Sequence, residues 1–157
     1  MNEFELKIRI ISKNFDELDV TERRLVDEAR RMTQNSYAPY SHFRVGAAIL
    51  LDNGAVATGA NQENAAFPSG TCAERSACYW AGANYPGAAF EMIAITAVAP
   101  DGTVPPEPTA PCGACRQALL EYEKLAGHDV KVLLAGRDTV YIVPSVKALL
   151  PLAFNEF

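Results

Sequence analysis

Three cysteines in two short segments constrain this chain more than any other feature. They lie in Thr71-Cys72-Ala73-Glu74-Arg75 and in Pro111-Cys112-Gly113-Ala114-Cys115-Arg116. A catalytic zinc ion takes three protein ligands in a tetrahedron and keeps the fourth position for water. Cys72, Cys112 and Cys115 are the candidate ligands, so the fold has to bring the two segments together at one point.

The spacing of these residues indicates how each of them could act. Cys112 and Cys115 would share one face of the first turn of a helix, because side chains three residues apart are neighbours there. Glu74 follows Cys72 by two residues, so it points elsewhere and could reach past the metal to a bound water. Helix N-termini also stabilise thiolates. Arg75 is the nearest candidate to balance the negative charge of three thiolates.

Two other interpretations of the cysteines have to be weighed. A structural zinc site needs a fourth protein ligand, but Cys78 would face away from Cys72 on a helix. We therefore predict that Cys78 is a buried free thiol, and the two histidines lack ligand-like spacing. A redox-active pair of Cys112 and Cys115 is the other alternative. It leaves Cys72 and Glu74 unexplained.

The length and net charge of the chain limit the number of domains and the kinds of partner that it can have. A length of 157 residues fits one domain with a substantial core. The formal net charge of -5 disfavours nucleic acid as a partner, because nucleic-acid binders normally present a basic surface. No apolar run has the length of a membrane span, and no N-terminal signal pattern is present. Ligand-like cysteines fit a reducing compartment, so we expect a cytoplasmic protein with a small substrate.

The rest of the sequence alternates between strand and helix patterns. Periodicity and turn signals predict, in chain order, a strand or extended arm over 4–11, a helix over 20–34, a hairpin over 45–51 and 55–60, a helix over 72–83, a strand over 90–99, a helix over 112–125, strands over 130–135 and 139–143, and a short helix over 144–150. The order indicates a βαβαβ unit with both cysteine-bearing helix N-termini at one end of a parallel sheet. The short connection before the last strand makes that strand antiparallel.

The motifs together resemble the cytidine deaminase family, in its small three-cysteine form. Cys72-Ala-Glu-Arg and Pro111-Cys-Gly-Ala-Cys-Arg-Gln match the zinc-deaminase signature. Further family segments are matched in the same order by Tyr37-Ala-Pro-Tyr-Ser-His-Phe-Arg-Val-Gly-Ala-Ala, Asn61-Gln-Glu-Asn-Ala and Leu149-Leu-Pro-Leu-Ala-Phe. The resemblance implies a three-layer α/β/α fold with a five-stranded mixed sheet. We expect residues 1–15 to form an N-terminal arm or extra strand and residues 16–157 to form one catalytic domain.

The resemblance also implies a reaction. Free cytidine and 2'-deoxycytidine would be deaminated hydrolytically to uridine and 2'-deoxyuridine with release of ammonia, as in pyrimidine salvage. One Zn²⁺ per subunit would be held by Cys72, Cys112 and Cys115 and would activate a water molecule. Glu74 would carry protons between that water, N3 of the pyrimidine and the leaving amine, and Arg75 would balance charge.

The substrate contacts implied by the resemblance come from several segments. Phe43 would pack against the pyrimidine ring, and the Ala73 N–H would hold the pyrimidine O2. The segment Asn61, Gln62 and Glu63 would bind the sugar, with the Asn61 and Glu63 side chains on the ribose hydroxyls.

The C-terminal tail is apolar for a chain end. By resemblance, Phe154 would reach into the active site of a neighbouring subunit of a homotetramer. Docking of Phe154 on its own core is the alternative.

Three rival functions are compatible with parts of the sequence. A deaminase of another nucleoside-like molecule, such as an aminoacyl-nucleoside antibiotic of the blasticidin-S type, is disfavoured by the segment Asn61-Gln-Glu-Asn. A polynucleotide-editing deaminase is disfavoured by the acidic charge and by the hairpin over 130–143. A structural-zinc binding module is disfavoured by Glu74 and by the missing fourth ligand.

Overall fold

The computed structural model of the protein describes residues 1–155, and a mixed β-sheet forms its middle layer. Within that range the sheet has six strands, which in chain order are β1 (Ile11–Asn14), β2 (Arg44–Leu51), β3 (Val56–Ala60), β4 (Phe90–Val98), β5 (Lys131–Ala135) and β6 (Thr139–Val143). The α-helices are α1 (Val20–Met32), α2 (Ala73–Asn84) and α3 (Gly113–Ala126). Short 3₁₀ turns occupy Phe15–Glu17, Thr33–Asn35, Phe67–Ser69 and Lys147–Leu149.

The three-layer α/β/α prediction is confirmed, because the helices cover both faces of the sheet. Along β2, Ala48 packs with α1, whereas its neighbours Ala47 and Ile49 face α2 and α3 on the other side. The same alternation of faces runs along β4, which is the continuously apolar central strand. No helix in residues 1–155 is long and apolar enough to span a membrane.

The strand order β1-β6-β5-β4-β2-β3 departs from the predicted parallel βαβαβ unit. β4 and β5 pair in parallel, but β2 lies between β3 and β4 and is antiparallel to both. The strands β3, β4 and β5 still run in one direction. The helices α2 and α3, which follow β3 and β4, therefore begin at the same end of the sheet.

The predicted number of strands was wrong, and the segment predicted as a strand or extended arm over 4–11 contributes only Ile11 to a strand. The sheet has six strands in the described chain instead of five, and the additional one is β1 at Ile11–Asn14, not over residues 4–11. β1 pairs antiparallel with β6, with Ile11 opposite Ile142. The Phe15 N–H extends this pairing by donating to Asp138 O at 3.0 Å. Alternation alone does not show which residues find a partner strand, and residues 1–10 find none in this subunit.

Helix α1 follows its sequence signals closely. Asp19 is the N-cap and forms the predicted capping box with Glu22. The buried face contains Leu25, Val26 and Ala29. The helix lies so near β2 that a Cβ atom at Gly46 would come within 2.0 Å of the Ala29 carbonyl oxygen. Only glycine therefore fits at this contact.

The last predicted helix is shorter than expected. Residues 144–150 contain one 3₁₀ turn, Lys147–Leu149, and a buried carboxylate accepts from backbone N–H groups at its start. The Glu123 carboxylate accepts from the N–H groups of Val146 at 2.6 Å and Lys147 at 3.0 Å. It also accepts from the Val130 N–H at 2.9 Å, so α3, β5 and the final turn meet at one side chain.

Candidate active site

The three predicted metal ligands converge at the shared end of α2 and α3. Their sulfur atoms all lie within 4.8 Å of one another. Cys72 Sγ is 3.9 Å from Cys112 Sγ, which is 3.5 Å from Cys115 Sγ. A tetrahedral zinc ion with Zn–S bonds of about 2.3 Å would place its sulfur ligands about 3.8 Å apart. This donor set therefore fits zinc, and within residues 1–155 the metal-binding group contains no fourth side chain.

The two helices position the thiols through their first residues. Cys72 is the N-cap of α2 and Cys112 is the N-cap of α3. Cys115 lies one turn into α3 and is buried. Cysteine is not among the residues that favour an N-cap, and neither side chain makes a capping hydrogen bond. The thiols are thus available for another partner at the positive ends of two helix dipoles.

Hydrogen bonding between Cys72 and Cys115 shifts the pKa values of these two thiols in opposite directions. A hydrogen bond from Cys115 lowers the pKa of Cys72 to about 5 against the effect of burial, and Arg75 adds to the lowering. The pKa of Cys115 is raised, because its proton is held by Cys72 and because the side chain is buried. Arg75 Nη2 lies 3.7 Å from Cys72 Sγ. A dication at this point would supply the charge that three thiolates require.

Glu74 is the carboxyl group beside the sulfur atoms. Its side chain is only 4% exposed, yet it lines the cleft that opens in front of Cys72 and Cys112. Burial raises the pKa of Glu74, and the negative charge of Cys72 raises it further. A raised pKa suits a carboxyl group that has to accept and release a proton in one reaction.

The cleft has a volume of about 710 Å³ and brings together most of the predicted site residues. Its lining includes Phe43, Asn61, Gln62, Glu63, Cys72, Glu74, Arg75 and Cys112. Cys115 and Ala73 are buried at the helix starts behind this lining. Phe154 does not line the cleft of its own subunit. Its side chain is 69% exposed on the tail, and its carbonyl oxygen accepts from Gln117 Nε2 at 2.8 Å.

The Asn61 side chain is largely committed to its own loops. Its Oδ1 atom accepts from Ser36 Oγ at 2.5 Å and from the Val45 N–H at 2.7 Å. Its Nδ2 atom donates to Phe43 O at 2.9 Å. The second hydrogen of Nδ2 remains as the group that Asn61 can offer to a ligand.

Glu63 organises the neighbouring loop at Tyr40 and Ser41. One carboxylate oxygen accepts from the Tyr40 N–H at 2.8 Å and from the Ser41 N–H at 3.3 Å. The other oxygen accepts a short hydrogen bond from Ser41 Oγ. The Ser41 hydroxyl lowers the pKa of Glu63 most, against a small opposing effect of burial, so this carboxylate is an anionic acceptor. Gln62 is anchored separately, because its Nε2 atom donates to Asn35 O at 3.1 Å.

Sequence reasoning missed two aromatic residues and one arginine. Tyr40 and Phe67 meet edge to face at the cleft, with ring centroids 6.0 Å apart, and both are exposed. Phe67 precedes Pro68 in the loop before α2, and an exposed aromatic in such a loop is the signal that could have found it. Arg116 donates to Pro111 O and Leu149 O, both at 2.8 Å, and so ties the start of α3 to the tail.

Cys78 stays apart from this group. The side chain is buried and free, as predicted. Burial raises the pKa of Cys78 to about 12, so it is a neutral packing residue and not a ligand.

Known proteins of one family are similar to this chain. A family model described as the cytidine and deoxycytidylate deaminase zinc-binding region matches residues 20–126. A cytidine deaminase from Halalkalibacterium halodurans is 40% identical over 131 residues, which are 83% of this chain and 92% of that protein. The crystal structure of cytidine deaminase from Burkholderia pseudomallei has a TM-score of 0.69 and 38% identity, covering 83% of this chain and 97% of that one. That of Mycobacterium tuberculosis cytidine deaminase has a TM-score of 0.68 and 33% identity, covering 88% and 100%.

Proposed function

Because the chain belongs to the cytidine and deoxycytidylate deaminase family, we propose that it deaminates free cytidine and 2'-deoxycytidine hydrolytically. The products are uridine, 2'-deoxyuridine and ammonia, and the reaction serves pyrimidine salvage. The family resemblance and the deaminase class of hydrolase, both inferred from the motifs, are confirmed. The observation that carries the substrate proposal is the cleft in which three thiols and the buried Glu74 carboxyl converge.

In the proposed mechanism, Glu74 moves both protons. One Zn²⁺ bound by Cys72, Cys112 and Cys115 would supply Lewis-acid chemistry that makes a water molecule acidic enough to react near neutral pH. Glu74 takes a proton from that water and delivers it to N3 of the pyrimidine, which makes C4 electrophilic. After the oxygen adds to C4, Glu74 takes the remaining hydrogen of that oxygen as a second proton and transfers it to the exocyclic amine. The C4–N bond then breaks, ammonia leaves and the C4 carbonyl forms.

The proposed substrate contacts use the walls of the cleft. Phe43 stacks on the pyrimidine ring, and the Ala73 N–H, free in the first turn of α2, holds O2. The remaining Nδ2 hydrogen of Asn61 donates to a ribose hydroxyl, and the anionic Glu63 accepts from one. Gln62 supports this segment through its bond to Asn35. A nucleoside uses the remaining hydrogen of Asn61 Nδ2 and the remaining acceptor capacity of Glu63, whereas a free base would leave both without a ribose partner.

The proposed assembly is a cytoplasmic homotetramer whose active sites are completed by neighbouring subunits. Phe154 is the residue that crosses into the neighbouring cleft. The support for this is that Gln117 and Lys124 hold the tail along α3 through the carbonyl oxygens of Phe154 and Asn155, while the Phe154 ring is exposed.

The proposed organisation has one catalytic domain over residues 16–157 and an appended N-terminal arm over residues 1–15. Residues 156 and 157 of that domain lie outside the described part of the chain. The net charge of -5 supports a small nucleoside and not nucleic acid as the partner.

Zinc analysis of the purified protein, coupled to ammonia release from cytidine, tests the proposal. We expect one zinc per chain, one ammonia per cytidine consumed and a matching absorbance change as cytidine becomes uridine. Cys112→Ala should lose both zinc and turnover. If zinc-loaded protein releases no ammonia from cytidine, the proposal that cytidine is the substrate is refuted. Faster turnover of an aminoacyl-nucleoside antibiotic would favour the alternative deaminase.

A further inference from the structure

The first ten residues form an arm that pairs with no strand in the described part of its own subunit. Residues 1–10 adopt no regular element and are all exposed. None of their backbone groups hydrogen-bonds to another residue in the described chain. The arm leads directly into β1 at the edge of the sheet. Unpaired backbone at such an edge is a template for pairing with another chain.

The arm separates apolar from charged side chains. Phe4, Leu6, Ile8 and Ile10 alternate with charged residues, and Phe4 is 74% exposed. On the charged side, Lys7 Nζ lies 3.5 Å from the carboxylate of the residue two positions earlier. That contact fits an extended backbone, in which residues two apart share a side.

The apolar side of the arm continues into the C-terminal tail. Leu6 and Ile8 border a cleft of about 360 Å³, and the opposite border includes Leu150 and Leu152. Leu152 is 83% exposed. Arm and tail thus form one exposed apolar patch, which is a feature of contact surfaces between proteins. The arm also precedes the segment that the family model matches, residues 20–126.

The charges of the arm fit one partner in particular, which is a second copy of the same arm. We propose that residues 2–10 of two subunits pair antiparallel about a two-fold axis at Leu6. In this register Glu3 lies opposite the partner's Arg9, and Glu5 lies opposite the partner's Lys7. The symmetry repeats both pairs, so every charge in the segment meets its opposite.

The apolar residues follow the same register. Phe4 lies opposite the partner's Ile8, and Leu6 meets the partner's Leu6 on the axis. A two-stranded ribbon alone is marginal in water. The exposed Leu152 beside each arm supplies further apolar surface for the paired arms to cover.

Other registers that keep the apolar side together bring like charges together. An axis at Glu5 would place two Glu5 carboxylates face to face, and an axis at Lys7 would do the same with two ammonium groups. Parallel in-register pairing would place every charge opposite its own kind. Because like charges directly opposite destabilise a strand pair, the charges select the axis at Leu6.

Cysteine cross-linking of the full zinc-loaded chain tests this register. Leu6→Cys places two thiols directly across the axis, where cross-strand Cα distances suit a disulfide. We expect mild oxidation to convert most chains to a covalent dimer that reductant reverses. Ile10→Cys is the matched control, because its thiols would be roughly 26 Å apart. Ile10→Cys should form no more covalent dimer than the unmodified protein. No dimer from Leu6→Cys, or equal yields from both variants, would overturn the proposal.

Charge reversal in the Leu6→Cys background tests the pairing itself. Glu5→Lys would face the partner's Lys7 with a like charge at two symmetric positions, so we expect about tenfold slower cross-linking. Adding Lys7→Glu restores opposite charges at both positions and should restore the rate. An unaffected single variant or an unrescued double variant would refute the charge pairing. Neither readout uses catalysis, so both are independent of the proposed deaminase function.

Discussion

At the scale of single residues, the candidate active site has to balance the negative charge of its thiolates. Three thiolates, one divalent metal ion and one guanidinium sum to zero, and Arg75 is the guanidinium that contacts Cys72. The Arg75 Nε atom is buried without a hydrogen-bond partner in the described chain. The contacts that hold Arg75 ionised are those to the sulfur atoms, because Cys72 and Cys115 raise its pKa.

Replacing Glu74 by glutamine separates proton transfer from metal binding. Gln keeps the size of the side chain but cannot accept a proton, so we expect the turnover of cytidine to fall by about 10³-fold or more. Zinc content and the thermal unfolding midpoint should stay near those of the unmodified protein, because Glu74 is not a ligand. Ammonia release, metal analysis and thermal unfolding on one preparation measure all three. A variant with near-normal turnover would remove Glu74 from the mechanism.

The sequence predicted the convergence of the three thiols better than the rest of the cleft. Two residues between Cys112 and Cys115 fix a helical spacing, and that local geometry is what the structure has. The three hydrogen bonds of the Asn61 side chain reach residues sixteen or more positions away in the sequence. Tertiary contacts of this kind leave no local pattern, so the limited capacity of Asn61 for a ligand was not predictable.

At the scale of elements, errors in the predicted fold arose where pairing decides the outcome. Helix α1 was predictable because its cap and its apolar stripe are local. The position of β1 was not, since only the edge of β6 determines which residues pair. The position of β2 between β3 and β4 was not predictable either, because the sequence of a strand does not indicate which strands pair with it.

Glu123 is an element-scale contact that can be tested directly. Glu123→Ala would leave the buried N–H groups of Val130 and Val146, and the N–H of Lys147, without an acceptor. We expect a loss of about 2–4 kcal/mol in the free energy of unfolding, measured with urea. Glu123→Gln should lose less, because one carbonyl oxygen can still accept two of the bonds. A loss below about 1 kcal/mol for the alanine variant would contradict this role.

At the scale of the whole molecule, the metal would join helices that begin far apart in sequence. A chelator that removes zinc should abolish turnover and lower the thermal unfolding midpoint, since a ligand held only by the native state stabilises it. Added Zn²⁺ should restore both. Cys78→Ala is the matched control, because it removes a thiol but no ligand and should keep the full response to chelator. Cys112→Ala should show no response to the chelator. A chelator response that survives in Cys112→Ala would locate the metal elsewhere.

Acid stability depends on one buried carboxylate that joins three parts of the molecule. Glu22 on α1 accepts from Lys13 Nζ of β1 at 3.0 Å and from Lys131 Nζ of β5 at 3.1 Å. It also accepts from the Asp19 N–H at 3.2 Å. Burial raises the pKa of Glu22, but these hydrogen bonds outweigh it, and the net pKa lies below the ordinary value of 4.5.

The sign of the resulting pH dependence follows from that shift. Below the folded-state pKa the carboxyl is protonated in both the folded and unfolded states and contributes nothing. Its contribution grows as pH rises towards 4.5, by at most about 1.4 kcal/mol per pH unit, and is constant above that. The free energy of unfolding in urea, measured for the unmodified protein and for Glu22→Gln, should therefore diverge as pH rises from the folded-state pKa to 4.5 and run parallel above that. Lines that stay parallel throughout would show that the Lys13 and Lys131 contacts do not hold Glu22 ionised in solution.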